Sequence, residues 1–299
     1  MVNSSATKPE SYDATQFWRS PARNFKSSAR LGLQHLLFQN TVGYLLHPEI
    51  EDAVSSTKPL AIADLGCGNA AWLIDLERHL SKKNIQAKYY GYDVNAANLP
   101  HREFLPESIS LEKLDILSEL PEQLKHAFDI VHVRAFISIV VNGNTTPLLS
   151  AVLYMLKPGG WIQWDETPGG SFQVQAPTGV SATMCNTLVH IVKQGAKANG
   201  NDDRFVSQLD QELSKHGLVD SKQEIFMKHA ADFKAWTDDY LMVWEELWIY
   251  FPTKTDAPDA PMTQEGWLEL VAKVAGETEQ GVVIHQEKLV VAIGRKVAE

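Results

Sequence analysis

From Phe17 to His47, apolar residues recur at three- and four-residue spacing at Trp18, Ala22, Phe25, Ala29, Leu33 and Leu36. That period predicts an amphipathic helix, which Pro48 closes. Arg19, Arg23, Lys26 and Arg30 repeat with it, and no acid occurs between Ala14 and Pro48. This basic stripe is either a solvated face or a helix held over an anionic group at the mouth of a site. After Pro59 the pattern alternates. Leu60–Leu65 reads as a buried strand and Asn69–Leu80 as a helix with Trp72, Leu76 and Leu80 on one face. Strands follow at Gln86–Tyr92, Ile109–Leu114 and Ala127–Val133. Thr146-Pro147 opens a helix that Lys157-Pro158-Gly159-Gly160 stops, and Trp161–Trp164 is a fifth strand. Strands alternating with helices predict right-handed βαβ units and a mostly parallel sheet. Helices are then expected at Ser181–Gly195 and Arg204–His216, a sixth strand at Leu218–Met227 and a last one at Lys288–Gly294. Between these last two strands, about 231–280, lies a helical, aromatic-rich insertion.

The organisation expected is a tail and helical lid over 1–50, followed by one α/β domain over 51–299 that carries the insertion. A chain of 299 residues with 44% hydrophobic and 21% charged residues is long enough for that. A net charge of −10 argues against non-specific nucleic-acid binding. The two cysteines, Cys67 and Cys185, make neither a disulfide framework nor a zinc pattern. No metal site is expected. The most apolar stretch, Phe128 to Val141, is broken by Asp129, His132 and Arg134, so no membrane span is expected. The first residues lack the apolar core of a secretory signal. A reducing, cytoplasmic setting is the simplest expectation.

The most informative segment is Asp64-Leu65-Gly66-Cys67-Gly68-Asn69-Ala70, between a strand and a helix. Gly66 permits a tight turn and Gly68 lets a ligand approach the backbone. Cys67 contributes its backbone rather than a nucleophile. The same residues satisfy a loose dinucleotide fingerprint through Gly66-x-Gly68-x-x-Ala71, with an acid, Asp93, about twenty residues on. A nicotinamide-dependent oxidoreductase is therefore a rival reading. Asp64 argues against it, because a carboxylate two residues before the first glycine repels a pyrophosphate. A ligand carrying an ammonium and a sulfonium suits that position. Asp93 can accept hydrogen bonds from both hydroxyls of a ribose, or cap the next turn. Asp115 can take an adenine amino group while Ile116 covers the ring; otherwise it is a loop acid.

Taken together, Asp64–Ala70, Asp93, Leu114-Asp115-Ile116, Phe128-Asp129-Ile130-Val131 and Leu156–Gly160 resemble the ordered motifs of class I S-adenosylmethionine-dependent methyltransferases. The resemblance covers roughly 59–166 and the final strand. It implies a Rossmann-like, seven-stranded, mostly parallel sheet with helices on both faces, and S-adenosyl-L-methionine as cofactor. It also places the cofactor's amino-acid end near Arg134 and Ala135, with Val94 beside the ribose acid. Ala70 departs from the family, which often has a third glycine there. Ala29–His35, Leu46–Ile50 and Trp161–Glu166 resemble, more loosely, fungal secondary-metabolite methyltransferases. That implies a small-molecule acceptor methylated on O, N or S.

If a base is needed, the candidates are His132, Asp165 and Glu166, on or just beyond strands ending near the donor. His132 reads equally as a satisfied core histidine. Tyr12 or the basic stripe is expected to reach the cofactor's carboxylate. Tyr240, Trp244 and Trp248 lie at i, i+4 and i+8, so they form either one packed stripe of a helix or, with Trp18, the wall of an apolar acceptor pocket. A cofactor-bound catalyst that does not methylate, such as a pericyclase, remains a further alternative.

Overall fold

The computed structural model describes residues 17–20, 24–54 and 58–298. Its centre is a seven-stranded sheet. The strands are β1 (Leu60–Leu65), β2 (Ala87–Asp93), β3 (Ile109–Lys113), β4 (Phe128–Arg134), β5 (Leu156–Glu166), β7 (Leu218–Met227) and β9 (Lys288–Lys296). Their spatial order is β3-β2-β1-β4-β5-β9-β7. The first five run parallel, and β9 is antiparallel to both neighbours. The order reverses between β1 and β4, so the carboxyl ends of those strands open the crevice where such sheets bind ligands. A separate antiparallel pair, β6 (Gln173–Gln175) and β8 (Val283–His285), has strands of three residues each, too short for a periodicity to reveal.

The helices are α1 (Phe25–Val42), α2 (Pro48–Ala53), α3 (Ala71–Lys82), α4 (Thr146–Met155), α5 (Thr183–Ala198), α6 (Leu209–Lys215), α7 (Phe233–Glu245) and α8 (Gln264–Glu279). The expected helix over 17–47 is shorter. It starts at an Asn24 cap whose side chain accepts from the Lys26 amide, and it ends at Gly43 in the left-handed region. Pro48 does not close that helix; it sits in the first turn of α2, where a missing amide hydrogen costs nothing. Residues 157–160 are a second departure. They belong to β5, with a register shift opposite Phe128 and Ile130.

Three apolar clusters hold the domain. One lies between the sheet and α4 and α6, around Met155, Trp164 and Leu209. Another joins α2 and α3 to the opposite face, around Ile50, Trp72 and Leu76. The third is the insertion itself. Trp236, Trp244 and Trp267 from α7 and α8 meet Leu37 and Phe38 of α1, Leu188 of α5 and Leu289 and Val291 of β9. The N-terminal helix is thus built into the core. The Trp72 indole donates to the Leu45 carbonyl, and the His47 amide donates to the Gln163 side chain. Among the described residues no helix is long and apolar enough to cross a membrane, and no group of three or more metal-binding side chains occurs.

Candidate active site

A cavity of about 1010 Å³ opens at the carboxyl ends of β1, β2 and β4 and runs under α1, α5 and α7. It lies at the upper end of the size of small-molecule sites, ~300–1,000 Å³. Asp64, Gly66, Cys67, Gly68, Asp93, Val94, Asp115, Ile116, Arg134 and Ala135 all line it. Tyr12 and Arg23 lie outside the described residues.

The glycine loop is a tight turn. Gly66 and Gly68 have φ of 65° and 59°, and Ala70 follows at 60° as the cap of α3. A Cβ on Gly66 would lie 2.6 Å from the Phe136 ring, and one on Gly68 3.0 Å from Leu31. Glycine is favoured there by the backbone conformation, by Phe136 packed on Gly66 and by Leu31 of α1 packed on Gly68. Asp93 closes the turn: one oxygen accepts from the Gly68 amide and the other from the Asn95 amide, both at 2.8 Å. A carboxylate can accept more than two hydrogen bonds, so this arrangement is compatible with a ligand donor. The Cys67 thiol is buried, and burial pushes its pKa up, with Asp64 and Asp93 adding to the effect. A thiol so disposed is not a nucleophile.

The basic stripe resolves residue by residue. Arg19 pairs with Asp115 at 2.5 Å, and Lys26 with Glu245. The Asn95 side chain donates to the carbonyls of Trp18 and Ser20, and the Trp18 indole donates to the Ser138 hydroxyl, so this segment is pinned across the cavity mouth. Arg30 is buried, facing Glu246 at 3.9 Å.

Beside the glycine loop lies a buried ionic chain. His132 Nδ1 is 2.7 Å from Asp64 Oδ1, and Nε2 is 3.2 Å from Asp165 Oδ2. Its ring stacks on Trp72 at 3.8 Å. Burial pulls its pKa down, but the two carboxylates outweigh burial and raise it. With an acid at each nitrogen, the charged form of the ring can donate to both. Burial works to raise the Asp165 pKa, yet Arg134 and His132 hold it at about 2. Arg134 donates to Asp165 from Nε and Nη2 and to His35 Nδ1 from Nη1. The three expected bases are therefore all engaged by the protein. His132 borders the cavity, while Asp165 and Glu166 are not among its lining residues.

Glu166 is fully buried and accepts from the amides of Phe136 and Thr167 and from the Trp164 indole. It fixes the 135–139 turn beside the glycine loop. Burial pushes its pKa up to about 7, against those hydrogen bonds. A carboxyl raised above its usual value of 4.5 binds its proton more tightly in the folded state. Stability therefore falls as pH rises from about 4.5 to about 7, by roughly 3 kcal/mol at ~1.4 kcal/mol per unit. Glu166→Gln should remove that part of the slope, read as the difference in unfolding midpoint between pH 5 and pH 8. An unchanged difference would assign the slope to other groups.

At the far end of the cavity, Tyr240 and Trp244 form the expected wall with Phe172 and Trp267. Trp248 does not join them. α7 ends at Glu245 and the chain tightens to a 3₁₀ turn over Glu246–Tyr250. The change of period turns Trp248 into a separate shallow groove with Met242 and Ile249. Sequence reasoning missed Asp239, Gln34 and Gln286, which also line the cavity. Asp239 was detectable as an acid on the buried face of an aromatic helix, three residues from Trp236 and one from Tyr240.

Residues 63–162 match a family model described as a methyltransferase domain. A methyltransferase of a Penicillium species, grgD, is 34% identical over 50% of this chain and 52% of its own length. The N-methyltransferase verN of Clonostachys rogersoniana is 27% identical over 50% of each. The chain thus spans about half the length of the curated relatives it matches. The solved phosphoethanolamine N-methyltransferase 2 of Haemonchus contortus with S-adenosyl-L-methionine covers 95% of this chain and 60% of its own, at 15% identity and a TM-score of 0.49. In fold and motif the chain resembles class I S-adenosylmethionine-dependent methyltransferases, and the curated relatives it matches include enzymes of fungi.

Proposed function

We propose that this protein transfers a methyl group from S-adenosylmethionine to an O, N or S atom of a small fungal secondary metabolite. The observation that carries the reading is an acid-lined glycine loop opening into an aromatic-walled cavity. Asp64, Asp93 and Asp115 face the cofactor end. Carboxylates on both sides of the glycine loop suit a cationic, hydroxyl-rich ligand and disfavour a pyrophosphate. In this reading Asp93 holds the ribose, Asp115 and Ile116 the adenine, Val94 the ring between them, and Arg134 and Ala135 the amino-acid end. When bound, the cofactor supplies an electrophilic methyl group.

The protein's contribution is orientation. His132, Asp165 and Glu166 act as positioning groups: they lock Asp64, Arg134 and the 135–139 turn in place. Alignment of this kind supplies ~7–11 kcal/mol of barrier lowering in favourable cases. The acceptor sits against Trp18, Tyr240 and Trp244, away from water.

Calorimetry decides the ligand. S-adenosylhomocysteine should bind, and NADH or NADPH should bind at least about a hundredfold more weakly, since a pyrophosphate on the glycine loop would lie between Asp64 and Asp93. The reverse preference would make the protein an oxidoreductase. With an acceptor in hand, product mass decides the chemistry, because only methyl transfer adds a CH₂ unit. A product isomeric with its substrate would point to a cofactor-bound catalyst that does not methylate.

A further inference from the structure

Seven buried side-chain atoms among the described residues have no hydrogen-bond partner. Four of them meet where α1, α7 and the 3₁₀ turn after α7 converge: Arg30 Nε and Nη2, Asp239 Oδ1 and Glu246 Oε2. Arg30 is 2% and Asp239 1% exposed, and both line the large cavity. Glu246 stands behind Arg30, with its other oxygen accepting from the Ser27 hydroxyl. Asp239 Oδ2 accepts from the Gln34 side chain at 3.4 Å. Buried polar atoms are nearly always paired, because leaving one unpaired forfeits its hydration. Arg30 and Asp239 line the cavity, and a ligand in it that reaches these sealed atoms would supply the missing partners.

We propose that Arg30 and Asp239 form the polar recognition site for the acceptor. Arg30 donates to an oxygen of the ligand, and Asp239 Oδ1 accepts from an adjacent N–H or O–H. The inference rests on the methyltransferase reading for its occupant and adds the acceptor's chemistry. An uncharged ligand suits the site, because each carboxyl group already has a basic group near it: Glu246 faces Arg30, and Arg30 and Lys228 both act on Asp239. Its body is flat and apolar, to lie among Phe172, Tyr240 and Trp244. An uncharged ring system bearing a carbonyl next to an N–H or O–H satisfies all three conditions. Such a molecule turns three unpaired protein atoms into paired ones, whereas a purely apolar ligand leaves all three unpaired.

The test uses the full chain saturated with S-adenosylhomocysteine and three probes of one shape. 2-Quinolone has the carbonyl and N–H side by side, 1-methyl-2-quinolone lacks the N–H, and naphthalene-2-carboxylate is an anion. Wild type should bind 2-quinolone at least about tenfold more tightly than either of the others, the effect of one hydrogen bond to a charged group. Asp239→Leu should erase the preference over the N-methyl probe, and Arg30→Met should weaken 2-quinolone comparably. Neither should change the dissociation constant of S-adenosylhomocysteine. The unfolding midpoint of Asp239→Leu should stay level or rise, since an underpaired buried carboxylate is removed. A merely structural pair predicts the opposite: a lowered midpoint with probe preference intact. Equal or absent binding of all probes by wild type, with the cofactor product bound, overturns the site and leaves the methyltransferase reading standing. Failure to bind S-adenosylhomocysteine would instead strike that reading itself. If either variant does not fold, the wild-type ranking and the other variant still decide.

Discussion

Replacing His132 by alanine should cost about 3–5 kcal/mol of folding stability, the effect of removing one member of a buried ionic network. The imidazole lies between Asp64 and Asp165, all three are nearly inaccessible, and its ring also stacks on Trp72. Alanine leaves two carboxylates facing one another across an apolar gap. Arg134 still serves Asp165, but Asp64 loses its partner at 2.7 Å. The pH dependence gives the effect a signature. A histidine whose folded pKa is raised above 6.5 contributes stability that is fully present below 6.5. That contribution is lost as pH climbs through the raised folded value. Urea unfolding at a series of pH values should show this alkaline loss in wild type and not in His132→Ala. A variant as stable as wild type at pH 6 would mean that the histidine is neutral and the network carries little energy. Turnover in His132→Ala should fall with the disturbed geometry of Arg134, not through loss of a proton acceptor.

Asp93→Ala should weaken binding of S-adenosylhomocysteine by roughly ten- to a hundredfold, at ~1.5–3 kcal/mol for each hydrogen bond to a charged group. The upper part of that range is expected because Asp93 does two things. It offers lone pairs to the ribose in the proposed function, and it ties the Gly68 and Asn95 amides into the turn. Asn95 in turn holds the carbonyls of Trp18 and Ser20, so the segment over the mouth should loosen too. Calorimetry gives the dissociation constant directly. The thermal shift produced by the ligand should shrink in parallel, since that shift follows the logarithm of ligand concentration over dissociation constant. Asp93→Asn separates the two roles. It keeps one acceptor oxygen and should recover part of the affinity. Wild-type affinity in Asp93→Ala would refute the ribose assignment.

The parallel half of the sheet was legible because each strand from β1 to β4 is a short segment built on apolar or aromatic residues and ended by a glycine, an acid or a loop. Asp64, Gly66, Gly68, Asp93 and Asp115 were legible for the same reason: each sits at a strand's carboxyl end, and the strand order places those ends together. The N-terminal stripe was not. Arg19, Lys26 and Arg30 share a period, yet they meet Asp115, Glu245 and Glu246, partners 96, 219 and 216 positions away. Whether a charge is solvated or buried depends on what the rest of the chain brings against it. Trp248 left its stripe because the helix tightened one turn early, a change that a fixed period cannot register.

The chemistry of the individual groups divides in the same way. A histidine or carboxylate at a strand end is a candidate base in sequence. Its proton affinity is set by burial and by charges within a few ångströms, which only the fold supplies. His132 and Asp165 became a locked ion pair, Glu166 a buried brace, and Asp239, unremarked among aromatics, the acid with an unpaired oxygen on the cavity wall. Local pattern and strand topology thus determined the fold and the glycine-loop end of the cavity. The aromatic end of the cavity is built from α1 and α7, far apart in the chain, and their packing alone brought its polar groups together.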